Sequence, residues 1–363
     1  MTKRFTISFL LIALFSITAL HAQLTQETRF LGTAGGAGNT FFRTPLGVYG
    51  GLAELSAGFG DNNFMALRVS PDLGYFLSDN VMVGSTVTLS VVTNFDDSFS
   101  FVGAIPFLRY YFNPTAANTY FYGQAQAGFV LSLDESDFNS YPFNVGGGVT
   151  HMLAPGVGLD GFLQLRDFDL GSDGGASLAL GAALNIFLDE DQYSNRSSGT
   201  ANLQTGSLMI GGTGGVINLS VSDNTSTAIA LEPQLMYFVT PQLAVGGGLL
   251  IEFVNTDFAF GTINSTTLGL SPQVRYYFAE GGHRLWFLTG GIDFNYRRID
   301  NDFAPGSADN ETTANFAVGA GLNSFISQNV ALELGPSLRI DPDFDLVRLG
   351  VDLGVQIFLN TAK

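Results

Sequence analysis

From Val347 to Ile357 every second residue is Val, Leu or Ile, and between them stand Arg348, Gly350, Asp352, Gly354 and Gln356. Residues 267–278 alternate in the same way. Leu268, Leu270, Pro272, Val274, Tyr276 and Phe278 are set against Thr267, Gly269, Ser271, Gln273, Arg275 and Tyr277. A period of two places alternate side chains on opposite faces of a strand. Such stretches exceed the usual soluble strand of about 5–6 residues. They suit a tilted membrane strand of about 9–11 residues with some overhang. One face is continuously apolar, and the other carries Gly, Ser, Gln and charges. That polarity predicts an apolar exterior and a polar interior. In lipid every backbone group must pair within the structure, so the strands must close into a barrel.

The pattern occurs twice. Pro71-Asp72-Leu73-Gly74-Tyr75-Phe76 is answered by Pro233-Gln234-Leu235-Met236-Tyr237-Phe238, an offset of 162 (233 − 71). Arg109-Tyr110-Tyr111-Phe112 returns as Arg275-Tyr276-Tyr277-Phe278, offset 166 (275 − 109), and Ile186-Phe187-Leu188 as Ile357-Phe358-Leu359, offset 171 (357 − 186). Three ordered matches predict a tandem duplication, with longer loops in the second copy. Each copy reads as eight antiparallel strands, over 46–188 and 206–360. The polar stretch 189–205 reads as a linker. Two tandem eight-stranded barrels are therefore expected, and one sixteen-stranded barrel is the alternative. Eight strands leave no pore, whereas sixteen leave a water channel. Residues 23–45 do not clearly repeat, although Phe30-Leu31-Gly32-Thr33-Ala34-Gly35-Gly36 faintly resembles Met209-Ile210-Gly211-Gly212-Thr213-Gly214-Gly215.

Connections alternate short and long. Ser78-Asp79-Asn80, Leu153-Ala154-Pro155-Gly156, Thr240-Pro241-Gln242 and Ser327-Gln328-Asn329 are short, while 133–139 and 300–312 are long. Outer-membrane barrels have short periplasmic turns and long external loops. Both termini are accordingly expected on the periplasmic side. Lys3 and Arg4 precede the apolar run Phe5–Leu20, and Ala22 ends it, so residues 1–22 read as a cleaved signal peptide. Cleavage would take the net charge from −17 to −19 (−17 − 2). A chain this acidic is a poor nucleic-acid binder. With no Cys, disulfides and thiolate metal sites are excluded.

The polar faces hold both signs of charge, and buried charges must be paired. Glu54, Asp72 and Asp160 share the first lumen with Arg68, Arg109 and Arg166. Glu232, Glu252, Asp293, Glu333 and Asp352 share the second with Arg275, Arg339 and Arg348. These residues are expected to form a structural ion-pair network filling each lumen, rather than a catalytic carboxylate cluster, because they spread over many strands. Tyr75, Tyr110, Phe112, Tyr237, Tyr276 and Phe278 crowd the short-turn ends, as an interfacial aromatic girdle would.

The pattern Pro-x-Leu-x-Tyr-Phe, a short turn, Asn/Gln-x-x-Val-Gly and then Arg-Tyr-Tyr-Phe stands at Pro71–Gly84 with Arg109–Phe112, and again at Pro233–Gly246 with Arg275–Phe278. It resembles the outer-membrane β-barrel domains of the OmpA/OmpX-like kind. The resemblance covers nearly all of residues 46–360, twice. It implies eight strands per copy, an outer-membrane location and assembly by the outer-membrane machinery. Two departures stand out. Leu359-Asn360-Thr361-Ala362-Lys363 follow Phe358, where the family ends on an aromatic, and no peptidoglycan-binding domain is seen.

Beyond the signal, the His residues are His151 and His283, both at short-turn ends, with no nucleophile gathered beside them. The Gly-rich stretches lie in strands with no following helix, so they read as no phosphate loop. The acidic loops (Asp96-Asp97, Asp134-Glu135, Asp300-Asn301-Asp302, Asp341-Pro342-Asp343) match no calcium-loop spacing and read as solvated. No cofactor, metal or catalytic residue is expected. The leading expectation is a non-enzymatic protein acting through its external loops, with the lipid bilayer of the outer membrane as its partner and no surface ligand identified. A porin for small solutes is the alternative.

Overall fold

A computed structural model describes residues 29–33, 53–60, 64–69, 71–93, 98–112, 118–133, 141–154, 156–167, 176–188, 201–220, 226–258, 261–301, 309–342 and 346–359. The signal segment, the loops at 94–97 and 134–140 and residues 189–200 of the linker lie outside the described residues.

The N-terminal half contributes β1 (Arg29–Thr33), β2 (Ala53–Gly60), β3 (Phe64–Val69), β4 (Pro71–Ser78), β5 (Val81–Thr93), β6 (Ser98–Tyr111), β7 (Thr119–Ala127), β8 (Phe129–Ser132), β9 (Phe143–Ala154), β10 (Val157–Asp167) and β11 (Ala176–Leu188). The C-terminal half contributes β12 (Ala201–Asn202), β13 (Leu208–Ser220), β14 (Ser226–Phe238), β15 (Leu243–Phe258), β16 (Gly261–Tyr277), β17 (Gly281–Gly282), β18 (Arg284–Asn301), β19 (Asp309–Phe325), β20 (Val330–Ile340) and β21 (Leu346–Leu359). All but β12 and β17 belong to one sheet, and its pairings are antiparallel.

How that sheet closes depends on height. At the short-turn end the C-terminal half closes on itself, with Leu208, Met209 and Ile210 opposite Leu359, Phe358 and Ile357. The N-terminal half is a curled sheet whose edges are bridged by β1. Arg29–Gly32 lie against Leu188–Asn185 of β11, and Arg29–Thr33 against Tyr75–Pro71 of β4. At the long-loop end the halves join each other instead. Ser177–Ala182 of β11 face Ser220–Gly215 of β13, and Ala53–Gly60 of β2 face Leu353–Leu346 of β21. With β7 and β8 taken as one interrupted strand, that rim has sixteen strands. The choice between two eight-stranded barrels and one sixteen-stranded barrel is thus divided along the molecular axis. The division falls at a register shift in β13, between Thr213 and Val216. An extra residue at such a bulge bends the strand and increases its twist, which lets it change neighbours.

β1 takes the same register in its half as the start of β13 does in the other. Phe30 lies opposite Phe187, as Met209 lies opposite Phe358. The faint likeness of the two segments is therefore a structural correspondence. The linker is also more than a spacer. Ala201 and Asn202 pair with Gly282 and Gly281, the Leu203 amide donates to the Glu280 carbonyl at 2.8 Å, and Ala201 and Leu203 are buried.

The alternation sorts side chains as the pattern demands. Leu180 (52% exposed), Leu270 (56%) and their like on other strands face outward. A soluble monomer rarely exposes a contiguous apolar patch of more than a few hundred Å². No helix among the described residues is long and apolar enough to cross a membrane. Between the halves Val157, Ile186, Val330 and Ile357 are buried, with Leu153, Ile210 and Leu359 packed on them. Glycine has a packing task at lumen positions. A Cβ on Gly84 would strike the Phe107 ring, and one on Gly181 would strike the Phe162 ring.

Candidate functional site

The inward-facing side chains build one clasp in each half. In the N-terminal half β6 carries Arg109 and Tyr111 on one face, two residues apart. The Arg109 guanidinium donates to Asp160 Oδ2 at 2.8 Å from β10, to Gln124 Oε1 at 2.7 Å from β7 and to the Tyr111 hydroxyl at 3.2 Å. It also lies over the Tyr122 ring, 4.0 Å from its centroid. Thr150 donates to the other Asp160 oxygen at 2.5 Å, and Gln124 passes a bond on to Gln126 at 2.8 Å. Asp160 is thereby held on both oxygens, which is what a carboxylate removed from water requires.

The C-terminal half repeats the arrangement with different residues. Arg275 donates to both oxygens of Glu333, at 2.5 and 3.1 Å, and lies 4.1 Å from the Phe287 ring centroid. Asn323 donates to Glu333 at 2.9 Å and accepts from the Tyr277 hydroxyl at 2.9 Å. Asn323 thus stands where Thr150 stands in the first half, and Phe287 where Tyr122 stands.

On the short-turn side of each clasp lies an aromatic plug. Phe76, Met82, Tyr111, Tyr120, Met152 and Phe187 fill one. Met209, Phe238, Tyr277, Leu285, Phe325 and Phe358 fill the other, with Ala201 and Leu203 from the linker. Phe76 stacks on Tyr111 with centroids 5.5 Å apart, and Phe238 on Tyr277 at 5.7 Å. Phe358 lies inside the lumen against Phe325. These plugs were missed in the sequence, although period two places Tyr111 and Tyr277 on the same face as the arginines.

Of the expected lumen charges, Arg109 meets Asp160, Arg275 meets Glu333, and Arg339 meets Asp293 at 3.1 Å. Asp72 accepts from Thr86 at 2.5 Å. Arg348 lies opposite Arg339 in the β20–β21 ladder, and Glu252 opposite Thr267. Glu54 is in register with both Arg68 and Asp352, Arg166 with Asn144, and Glu232 with Thr213. The side chains of Glu54, Arg68, Arg166, Glu232 and Asp352 lie outside the described set. Three of the expected lumen pairs are thus formed among the described residues. The residues named as a girdle, Tyr75, Tyr110, Phe112, Tyr237, Tyr276 and Phe278, are all exposed near the short turns. Tyr110 meets Phe112 edge-on at 5.4 Å, and Tyr276 meets Phe278 at 5.6 Å.

His151 Nδ1 lies 2.9 Å from the Thr119 hydroxyl, and His283 is exposed beside a short turn. Among the described residues no group of His, Asp and Glu is arranged to hold a metal ion.

No family model matches the chain. No curated protein matches it either. Solved structures similar to it include a bacterial polysaccharide outer membrane secretin (9% identity, TM-score 0.41, 86% of this chain and 100% of that one). Another is the monoaromatic hydrocarbon channel CymD (10%, 0.35, 93% and 90%). A third is the N-terminal β-barrel domain of OprF from Pseudomonas aeruginosa (13%, 0.24, 43% and 98%). At these TM-scores the likenesses carry no assignment of activity. Strand closure and the outward apolar face do carry one conclusion: the chain is an antiparallel, membrane-spanning β-barrel protein.

Proposed function

We propose that the protein is a non-enzymatic, non-conducting component of a bacterial outer membrane that acts through its external loops. One observation carries this reading: both lumens are crossed by a buried Arg–carboxylate clasp above an aromatic plug. An eight-stranded barrel is only wide enough for its own side chains, and here those side chains meet across it. Strand-built membrane spans of this kind belong to outer membranes. The remaining parts of the proposal are a cleaved signal over residues 1–22, delivery to the outer-membrane assembly machinery, short turns on the periplasmic side and descent from a tandem duplication. The matching positions of Arg109 with Arg275 and Asp160 with Glu333 support the duplication.

The test is single-channel recording on refolded protein, residues 23–363, in a planar bilayer. Insertion would be established separately by protease protection. Silence is the expected result. Stable nanosiemens-scale steps would overturn the reading and make the protein a porin.

A further inference from the structure

The apolar seam and the exchanged strands together say what each half binds. Were either half taken alone, the long-loop part of β11 or β13 would present an unpaired ladder to hydrocarbon, where backbone groups find no water. In the chain that ladder is filled by the other half, at six positions between β11 and β13 and eight between β2 and β21. Only three positions close the C-terminal half on itself between β13 and β21. On the short-turn side the halves meet through Val157, Ile186, Val330 and Ile357. These residues point away from both lumens, yet they are as buried as a core, so no lipid lies between them.

We infer that residues 29–188 and 201–359 are obligate partners that recognise each other by strand exchange and this seam. The covalent connection between them is dispensable once the protein has folded. The two halves form one membrane particle with a single composite outer rim, and neither is a free-standing barrel on a tether.

The test uses the full chain. A protease recognition sequence is placed within residues 189–200, and the protein is cut after refolding in detergent micelles. Because the chain has no Cys, one engineered pair at a time reports the exchange. Ala57→Cys with Leu349→Cys tests the β2–β21 junction, and Leu180→Cys with Ile217→Cys tests the β11–β13 junction; both pairs are directly opposite in register. Ala57→Cys with Leu334→Cys is the control. The expected result is that the cut protein runs unheated as one species, and that oxidation joins the two fragments through either junction pair but not through the control. Separation of the fragments on cutting would overturn the inference. So would fragments that stay together while neither junction pair links in a folded protein. A variant that fails to refold leaves the second junction to decide. Single-channel silence or conductance is read independently of this outcome.

Discussion

The two clasps perform the same closure with different access to water. The Asp160 side chain is 2% exposed and is held by Arg109 and Thr150. The Glu333 side chain is 17% exposed and reaches Arg275 through one further methylene, which permits the bidentate grip. The first lumen is also packed farther toward the rim, where Phe101, Ile105 and Val130 form a buried cluster. The shorter, more buried carboxylate is the more constrained solution, because nothing but protein can replace its partners. The longer carboxylate, more open to water, tolerates more.

Substitutions should separate the two halves in that order. Asp160→Ala strands the buried Arg109 guanidinium and should cost about 3–5 kcal/mol. Glu333→Ala should cost less, because the Glu333 side chain is 17% exposed and its removal opens a path for water to Arg275, itself only 4% exposed. Equal losses, read as urea midpoints of the refolded protein in micelles, would erase the contrast. Replacing Arg109 with Met and Asp160 with Leu together should return most of the single-mutant loss, since an apolar pair of similar volume is often neutral. Additive losses in that double-mutant cycle would mean that Arg109 and Asp160 are not energetically coupled.

The lipid face should respond alike in both halves. Leu270→Arg and Leu180→Arg each place a cation on an outward strand position, at a cost of about 2–4 kcal/mol near mid-bilayer. A cost at one site alone would show that the other lies outside the hydrocarbon. Next, Gly181→Val drives a side chain into the Phe162 ring, an overpacking of about 1–3 kcal/mol, detectable as a lowered melting temperature. The smallest effect belongs to Arg298→Ala. Its pair with Asp300 is 52% and 36% exposed, so no change in the urea midpoint should be resolved, with or without added salt.

Much of this was legible in the chain. Period two identified the strands and their lipid face, because a strand's side chains can only alternate. It also placed Arg109, Asp160, Arg275 and Glu333 on lumen faces. Which arginine meets which carboxylate was not legible. The partners lie 51 and 58 residues apart, and closure of the sheet alone brings them across a lumen. The plugs were hidden for a related reason: Tyr and Phe serve equally on a lipid face, and only their parity relative to Arg109 and Arg275 reveals them. The burial of Ala201 and Leu203 was hidden because a polar linker reads the same whether it is solvated or folded back.

Alternation along the chain was enough to read a β protein with an apolar outside. These are properties of neighbours along a strand. How the two halves close emerges only in the folded molecule. Both closures satisfy the same alternation and the same backbone hydrogen bonding. The choice between them rests on a bulge between Thr213 and Val216 and on long-range pairings that no local pattern encodes.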